Sequence, residues 1–446
     1  MGKDNNMDRK RIEEFQDKWQ IIAEKIGEKN GEAIVSALKE LYAVYDDRMV
    51  EWMASLYDPE AGAWYHSRSG QITEGYGPDA ESTIEVFGFW QATGMTGGRP
   101  YEQVVPEWLK KRVAKFCYDL QDEDGYFYHP QWGKQYYIDN NLMSRRSRDG
   151  DWCRHMIRLF SDGKFKYPLP GAPKASADGK KPDVPKQWQS LENYMAHLDE
   201  LDIKNKSYWA CNLLLAEASE RNMYSEYLGA DLQKITMDFL DANNSPETGF
   251  WQKPEDGINY YSMNSLHKCS RLYNGNKRPI PNVEKGIRNT MAVIMSDEPT
   301  GGAVDVYNPW HVIGDCMYNL MSFHGDEGKA LAEKLRIEIY DWAAPAILKS
   351  AKKIVDYKMP DGGMSYSKSG CCARSQGAPV AVSGSREGDI NGNCCASSAV
   401  VSSVYHALGL SSYMVPMFTE KDLENFINII EEKEKAWLES KENAKQ

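Results

Sequence analysis

The sequence predicts an all-α fold of repeated helical hairpins, closed into an (α/α)6 toroid. Three observations carry that expectation: short segments that share one grammar, their regular spacing, and helical apolar periodicity between them. The segments are Tyr57–Tyr65, Gln121–Tyr128, Ser245–Trp251, Asp297–Gly302 and Met359–Tyr366. Each runs from an apolar helix end through an acidic turn to glycine and then aromatics. Asp and Pro start a turn, and glycine supplies the positive φ that ends a helix and re-aims the chain. With Gly62, Gly125, Gly249, Gly302 and Gly363 taken as the turn glycines, the spacing is about sixty residues. The interval from Gly125 to Gly249 is about twice the others. It implies one degenerate unit near residue 187, and so six units in all.

The elements follow in order. Residues 1–30 hold an amphipathic leading helix, Arg9 to Gly27. Residues 31–418 form the toroid. Its first helix is read from Gly31 to Tyr57, with Ile34, Leu38, Leu41, Tyr45, Met49 and Trp52 on one recurring face. Tyr101–Leu120 and Tyr227–Leu240 repeat the pattern. Residues 162–187, rich in Lys, Pro, Gly and Ala, form an exposed insertion in the degenerate unit. Ala399–Leu410 is a strongly apolar helix. Thr419–Lys441 is a charged closing helix within residues 419–446. A unit of two helices cannot bury its apolar faces alone, so units stack as an open solenoid or close into a ring.

The turn Gln121-Asp-Glu-Asp-Gly-Tyr-Phe127 resembles the repeat turns of the squalene-hopene cyclase and protein prenyltransferase β-subunit superfamily. The architecture resembles that of the (α/α)6 glycosidases and polysaccharide lyases. The resemblance spans most of residues 31–415 and rests on short turns. It implies the toroid, and leaves function to the site. The Asp-rich motif of squalene-type cyclases and the zinc set of prenyltransferases are not found at matching places, which lowers the terpenoid reading.

A formal net charge of −12 argues against a nucleic-acid surface and against anionic membranes. No apolar run approaches the ~20 residues of a membrane helix. The polar start, Met1 to Lys10, reads as no secretory signal, so the cytoplasm is the expected location. Nine scattered cysteines fit reduced thiols better than a disulfide framework. No Walker loop or dinucleotide-binding glycine motif is visible.

Chemistry is expected in the stretches just after the glycine turns. In the first, Asp79 and Glu81 open a helix, where capping explains them as well as catalysis does. In the second, Arg145, Arg146 and Arg148 make a positive spot suited to carboxylate, sulfate or phosphate. Ion pairs with Asp149 and Asp151 are the alternative. In the third, Tyr260, Asn264, His267 and Arg271 share a helical face; in the fourth, Tyr307, His311 and Asp315 do. Solvation or internal hydrogen bonding is the plain explanation of both faces. In the fifth, Glu387, Asp389 and Asn391 alternate just before the apolar helix. Capping accounts for one of these three.

The aromatics that follow the turns, among them Trp64, Trp132 and Trp251, suit sugar stacking, or else pack the turns. Together these features point to an enzyme that cleaves acidic, uronate-containing oligosaccharides, with no cofactor required. In β-elimination, Asn264 with Arg145 or Arg146 would neutralise the uronate while His267 or Tyr260 moves protons. In hydrolysis, two carboxylates drawn from Asp79, Glu81, Glu387 and Asp389 would act. His311 is expected to share a cleft with His267, Glu387 and Asp389. A terpenoid or prenyl enzyme and a non-catalytic scaffold are the rivals. Cys371-Cys372 and Cys394-Cys395 raise zinc as an alternative to plain packed thiols. A cysteine pair beside zinc resembles the (α/α)6 β-L-arabinofuranosidases. The chain is shorter than those proteins, and Ala396-Ser397 stands where that family carries prolines.

Overall fold

Helix accounts for 64% and strand for 3%, and the strands among the described residues make two two-stranded sheets and no central one. The computed structural model describes residues 9–140, 142–171 and 184–444. The main helices are α1 (Gln16–Ile26), α2 (Gly31–Tyr42), α3 (Met49–Ser55), α4 (Ala80–Thr93), α5 (Glu107–Leu120), α6 (Met143–Phe160) and α7 (Ser207–Ala216). They continue as α8 (Leu232–Asn243), α9 (Tyr260–Gly275), α10 (Val283–Met295), α11 (Val304–Phe323), α12 (Gly325–Ile354), α13 (Ala399–Leu408) and α14 (Glu420–Asn443). The chain forms two compact units. The first is Met1–Pro168, Thr300–Tyr307 and Glu338–Gln446; the second is Leu169–Pro299 and Asn308–Ile337.

Four of the glycine turns are small hairpins. Tyr57 pairs with Trp64 and Asp58 with Ala63, and single bridges join Gln121 to Phe127 and Lys358 to Met364. In the third turn, Ser245 N–H donates to Phe250 O at 2.8 Å. The bends are made by Gly62, Gly125, Gly249 and Gly362, with φ of 74°, 84°, 73° and 93°. The last bend is therefore Gly362, not Gly363. Gly302 has no positive φ. Its N–H and that of Gly301 donate to Asp305, and Ala303 N–H donates to Tyr366 O. That segment caps α11 rather than forming a hairpin. In the interval where a degenerate unit was expected, a short 3-10 turn (Lys186–Trp188) stands near residue 187 and Asp202 takes φ 50°. Residues 172–183 of the predicted insertion lie outside the described residues.

Four expected helices are interrupted: Arg9–Gly27 breaks between Glu13 and Gln16, and Tyr227–Leu240 breaks at Gly229, whose φ of 63° ends the helix Ala218–Leu228 before α8 begins. The helix read from Gly31 to Tyr57 breaks between α2 and α3. Asp46 accepts from the backbone N–H and the guanidinium of Arg48, which satisfies a turn instead of a helix. Before α5, Pro106 takes the N-cap position and confines Tyr101–Gln103 to a single 3-10 turn.

Within each unit, the post-turn helices that meet run in the same direction, because the chain returns between them. In the first unit, Asp79 and Glu81 at the start of α4 meet Arg145 at the start of α6, and Phe87 meets Phe160 further along. In the second unit, the partners Asn264–Asn308 and Asn274–Asn319 align α9 with α11 in parallel register. Tyr208–Tyr261 and Cys211–Cys269 do the same for α7 and α9.

The first unit's core is aromatic. Trp64 packs on Tyr57 and Phe87, and Phe426 of α14 closes on Trp90 with centroids 5.0 Å apart. Such pairs add about 0.5–1.5 kcal/mol each beyond area burial. Helix α14 is capped by a Thr419/Asp422 box and buries Leu423, Phe426 and Ile430 at helical spacing. Among the described residues, no helix is long and apolar enough to cross a membrane.

Candidate functional site

The first unit gathers the post-turn stretches around one buried arginine. Asp79 caps α4, accepting from Ser82 N–H at 3.1 Å. Glu81 lies two residues on. Helix α6 brings Arg145, which is 0% exposed, into this corner. Its Nη2 donates to Asp79 at 3.0 Å, its Nη1 to Glu81 at 2.7 Å, and its Nε to Asp149 at 2.9 Å. Tyr137 donates its hydroxyl to Asp149 and Ser375 donates to Glu81. Trp132 and Trp152 cover the guanidinium at 5.4 and 5.7 Å. Three carboxylates with one guanidinium leave this buried set net negative.

The strap before α13 adds the next layer. Asp389 caps the short helix Ile390–Asn393, and its oxygens accept from the N–H groups of Gly392, Tyr366 and Cys372. His66, fully buried, bridges the two layers. Its Nε2 lies 3.7 Å from Asp389 and its Nδ1 3.3 Å from Ser82 Oγ, which in turn donates to Asp79. Burial raises the Asp389 carboxyl, against the pull of His66 and three backbone N–H groups. Burial acts on Asp79 too, but Arg145, His66, Ser82 and His129 outweigh it and hold that carboxyl below its usual range. Burial lifts Asp149 to about 6 against Arg145 and Tyr137, which leaves it ionised at neutral pH.

Glu85, one helical turn beyond Glu81 on α4, was not singled out in the sequence. It is half-buried, and its Oε2 has no hydrogen-bond partner among the described residues. Burial, then the negative charges of Glu81, Asp79 and Asp389, push its carboxyl well above the usual range, with Arg148 opposing. Glu85 thus takes up a proton more readily than a free carboxyl does, because burial and the carboxylates of Glu81, Asp79 and Asp389 disfavour its charge. The available signal was the pair Glu81/Glu85, like charges at i and i+4 near a helix start.

The expected site residues separate on this geometry. Asp79, Glu81, Arg145 and Asp389 are brought together. Arg145 is an internal counter-ion rather than a clamp for a uronate, because three carboxylates use its donors. Arg146 instead stacks over Tyr126 at 4.4 Å. Of the ion pairs weighed for this segment, Asp149 does hold Arg145, whereas Asp151 pairs with Arg154. Both Glu387 oxygens accept from Ser69 N–H, at 3.0 and 3.1 Å, so Glu387 anchors a loop. Asn391 accepts from the Cys395 thiol. Trp64 and Trp251 are buried in packing and offer no face to a ligand; Trp251 also donates to Leu240 O. Trp132 stacks on His129 at 4.1 Å.

His267 and His311 belong to the second unit. Their rings meet edge to face at 5.2 Å. Asn308 donates to Asn264, Ser270 donates to Asp315, and His311 lies 3.5 Å from Asp315. This is a polar seam that sets the register of two parallel helices. Tyr260 is buried at the start of α9, its N–H donating to Glu298.

The paired cysteines each turn to a different acceptor: Cys371 to Val382 O, Cys372 to Arg374 O, Cys394 to Glu85 O and Cys395 to Asn391. Burial, then the Glu387 and Asp389 carboxylates, push the Cys371 thiol up to about 12. Among the described residues, no group of three or more His, Cys, Asp or Glu is placed to hold a metal ion. No family model matches the sequence, and no curated protein matches it.

Proposed function

We propose that the chain is a carbohydrate-active hydrolase in which Glu85 is the general acid. The observation that carries this reading is the carboxyl of Glu85, whose buried Oε2 has no hydrogen-bond partner among the described residues and whose proton affinity is raised by burial and three neighbouring carboxylates. Glycosidic cleavage needs a proton for the leaving oxygen and a negative field for the positive charge that develops on the sugar. Glu85 would give the proton as the glycosidic C–O bond breaks, and water adding to the sugar carbon would return a proton to the Glu85 carboxylate. Asp79 and Glu81, fixed by Arg145, would supply the field. Elimination is the weaker alternative, because Arg145 is already occupied by Asp79, Glu81 and Asp149. A polar, charged corner also fits a saccharide better than a terpenoid.

For the architecture, we infer closure of the hairpins into a ring. Parallel post-turn helices within each unit support it. So does the packing inside the first unit of early segments on late ones: Trp52 donates to Asp361, and Met417 N–H donates to Thr93 O. An experimental structure with an open superhelix would end that inference.

The functional test is a screen of the purified chain against uronate-containing and neutral oligosaccharides. Both reducing ends and ultraviolet-absorbing unsaturated products would be read. New reducing ends without unsaturation, lost in Glu85→Gln, are expected. Unsaturated product, or full activity in Glu85→Gln, overturns the assignment.

A further inference from the structure

The second unit holds two thiols that the carboxylate site does not use. Helices α7 and α9 lie side by side. Ser207, Ala210, Cys211 and Leu214 are buried on α7. On α9, Ser262, Ser265, Cys269 and Leu272 recur along one buried face. The residues of these faces before each cysteine are small, so little stands between the two backbones there. The Cys269 thiol donates to the Cys211 sulfur at 3.3 Å, and both side chains are 0% exposed. Two rings tie the same helices nearer their starts, where Tyr208 meets Tyr261 edge to face at 5.9 Å. Packing therefore holds these sulfurs against each other. The four cysteines near Asp389, by contrast, each turn to an oxygen acceptor.

We propose that Cys211 and Cys269 are an oxidation site, joined by a peroxide into a reversible disulfide that clamps α7 to α9. The clamp stands apart from the saccharide reading and from Glu85. A disulfide sets its sulfurs about 2 Å apart, so the native pair has roughly 1 Å to close. Hydrogen peroxide is small and uncharged, and reaches the pair through local opening of the helices. One thiolate attacks a peroxide oxygen. The O–O bond breaks, the sulfur becomes a sulfenic acid, and hydroxide leaves to take up the proton that the thiol gave. The second sulfur then attacks the first. The S–S bond forms, the S–O bond breaks, and water leaves with the second thiol's proton. Two thiols and one peroxide give one disulfide and two waters. Burial, then the hydrogen bond and charge of Cys211, hold the Cys269 thiol well above its usual range. Thiolate is scarce and the first step slow, so the clamp sets only under sustained peroxide. The second step is fast, because the partner is already in place, and the sulfenic acid closes before it is oxidised further. The disulfide closes a loop spanning 58 residues and so restricts the unfolded chain.

Peptide mapping of the folded, full chain tests this. Reduced protein is exposed to hydrogen peroxide, alkylated and cut with trypsin, which isolates the two thiols in Ser207–Arg221 and Cys269–Arg271. These peptides should appear joined, lighter by two hydrogens, and should separate after dithiothreitol. The joined form should exceed any other link of Cys211 or Cys269 by at least ~10-fold. In urea, where all nine cysteines compete, that preference should vanish. Cys153 has Cys117 as a neighbour in the first unit, so thermal melting is compared in Cys117→Ser. There the oxidised chain should melt at least ~2 °C above the reduced one, and dithiothreitol should reverse the shift. Adding Cys269→Ser should abolish both the link and the shift. Absence of the joined peptide, or a sulfinic or sulfonic acid at Cys269 in its place, overturns the oxidation site. So does a joined peptide as favoured in urea as in the folded chain. A complete link that leaves the melting temperature unmoved overturns the clamp.

Discussion

Glu85 places a carboxyl where its proton is favoured by the native structure. Its native affinity for the proton exceeds that of the unfolded chain, so the group stabilises the fold below the unfolded value of about 4.5. That contribution is lost as pH rises through the raised native value. Glu85→Gln should therefore match the unsubstituted chain in acid and be the more stable of the two at neutral pH and above. Urea unfolding across pH checks this, and equal stability at all pH would show that Glu85 is not perturbed. The same substitution should lower turnover about 10²–10⁴-fold. The loss should be smaller for glycosides with good leaving groups, which need little protonation. Under the proposed hydrolase role, activity of the unsubstituted chain should fall on the alkaline side as Glu85 ionises.

Arg145 joins two elements, and its loss strands charges on both. Arg145→Met would leave Asp79, Glu81 and Asp149 buried together without their cation. Breaking a buried pair in this way costs about 3–5 kcal/mol. A drop of that size in urea stability is expected, and Arg145→Lys should recover only part of it, since one ammonium cannot serve three directions. The glycine turns are the other element-level constraint. At Gly249, φ is 73° and an added Cβ would lie 2.4 Å from the Gly286 backbone nitrogen. Gly257, with φ 80°, has nothing within 4 Å of that position. Gly249→Ala should thus destabilise by about 1–3 kcal/mol more than Gly257→Ala. Thermal melting of the two variants compares strain plus clash with strain alone.

At the scale of the whole molecule, the end of the chain completes the first unit. Leu423, Phe426 and Ile430 of α14 are buried, and Phe426 covers Trp64 and Trp90. Glu434 also binds Tyr57 and Arg112. Burying each of the three apolar side chains contributes about 1.5–3 kcal/mol. Their sum is comparable with the ~5–15 kcal/mol by which native proteins are stable. A chain ending at Phe418 is expected to lose cooperative thermal unfolding, and a sharp, unshifted transition would show the closing helix to be dispensable.

Local features were legible in the sequence by itself. The glycine turns, the closing helix α14 and the Arg145–Asp149 pair depend on neighbours within a turn or two of helix, where sequence spacing fixes geometry. Even there, Asp46 and Pro106 moved helix boundaries, because a single cap or a missing N–H outweighs an apolar period. The candidate site was legible only in part. Asp79, Glu81, Arg145 and Asp389 stood out by type, yet Arg145 read as an open anion clamp until tertiary structure set it against carboxylates 64 and 66 residues away in the chain. Glu85 read as an ordinary helix residue. Its raised proton affinity comes first from burial, then from Glu81 and Asp79 on its own helix start, and then from Asp389, on a strap from the far end of the chain. Electrostatic interaction depends on distance through space and on exclusion of water, and neither is written in the order of the residues.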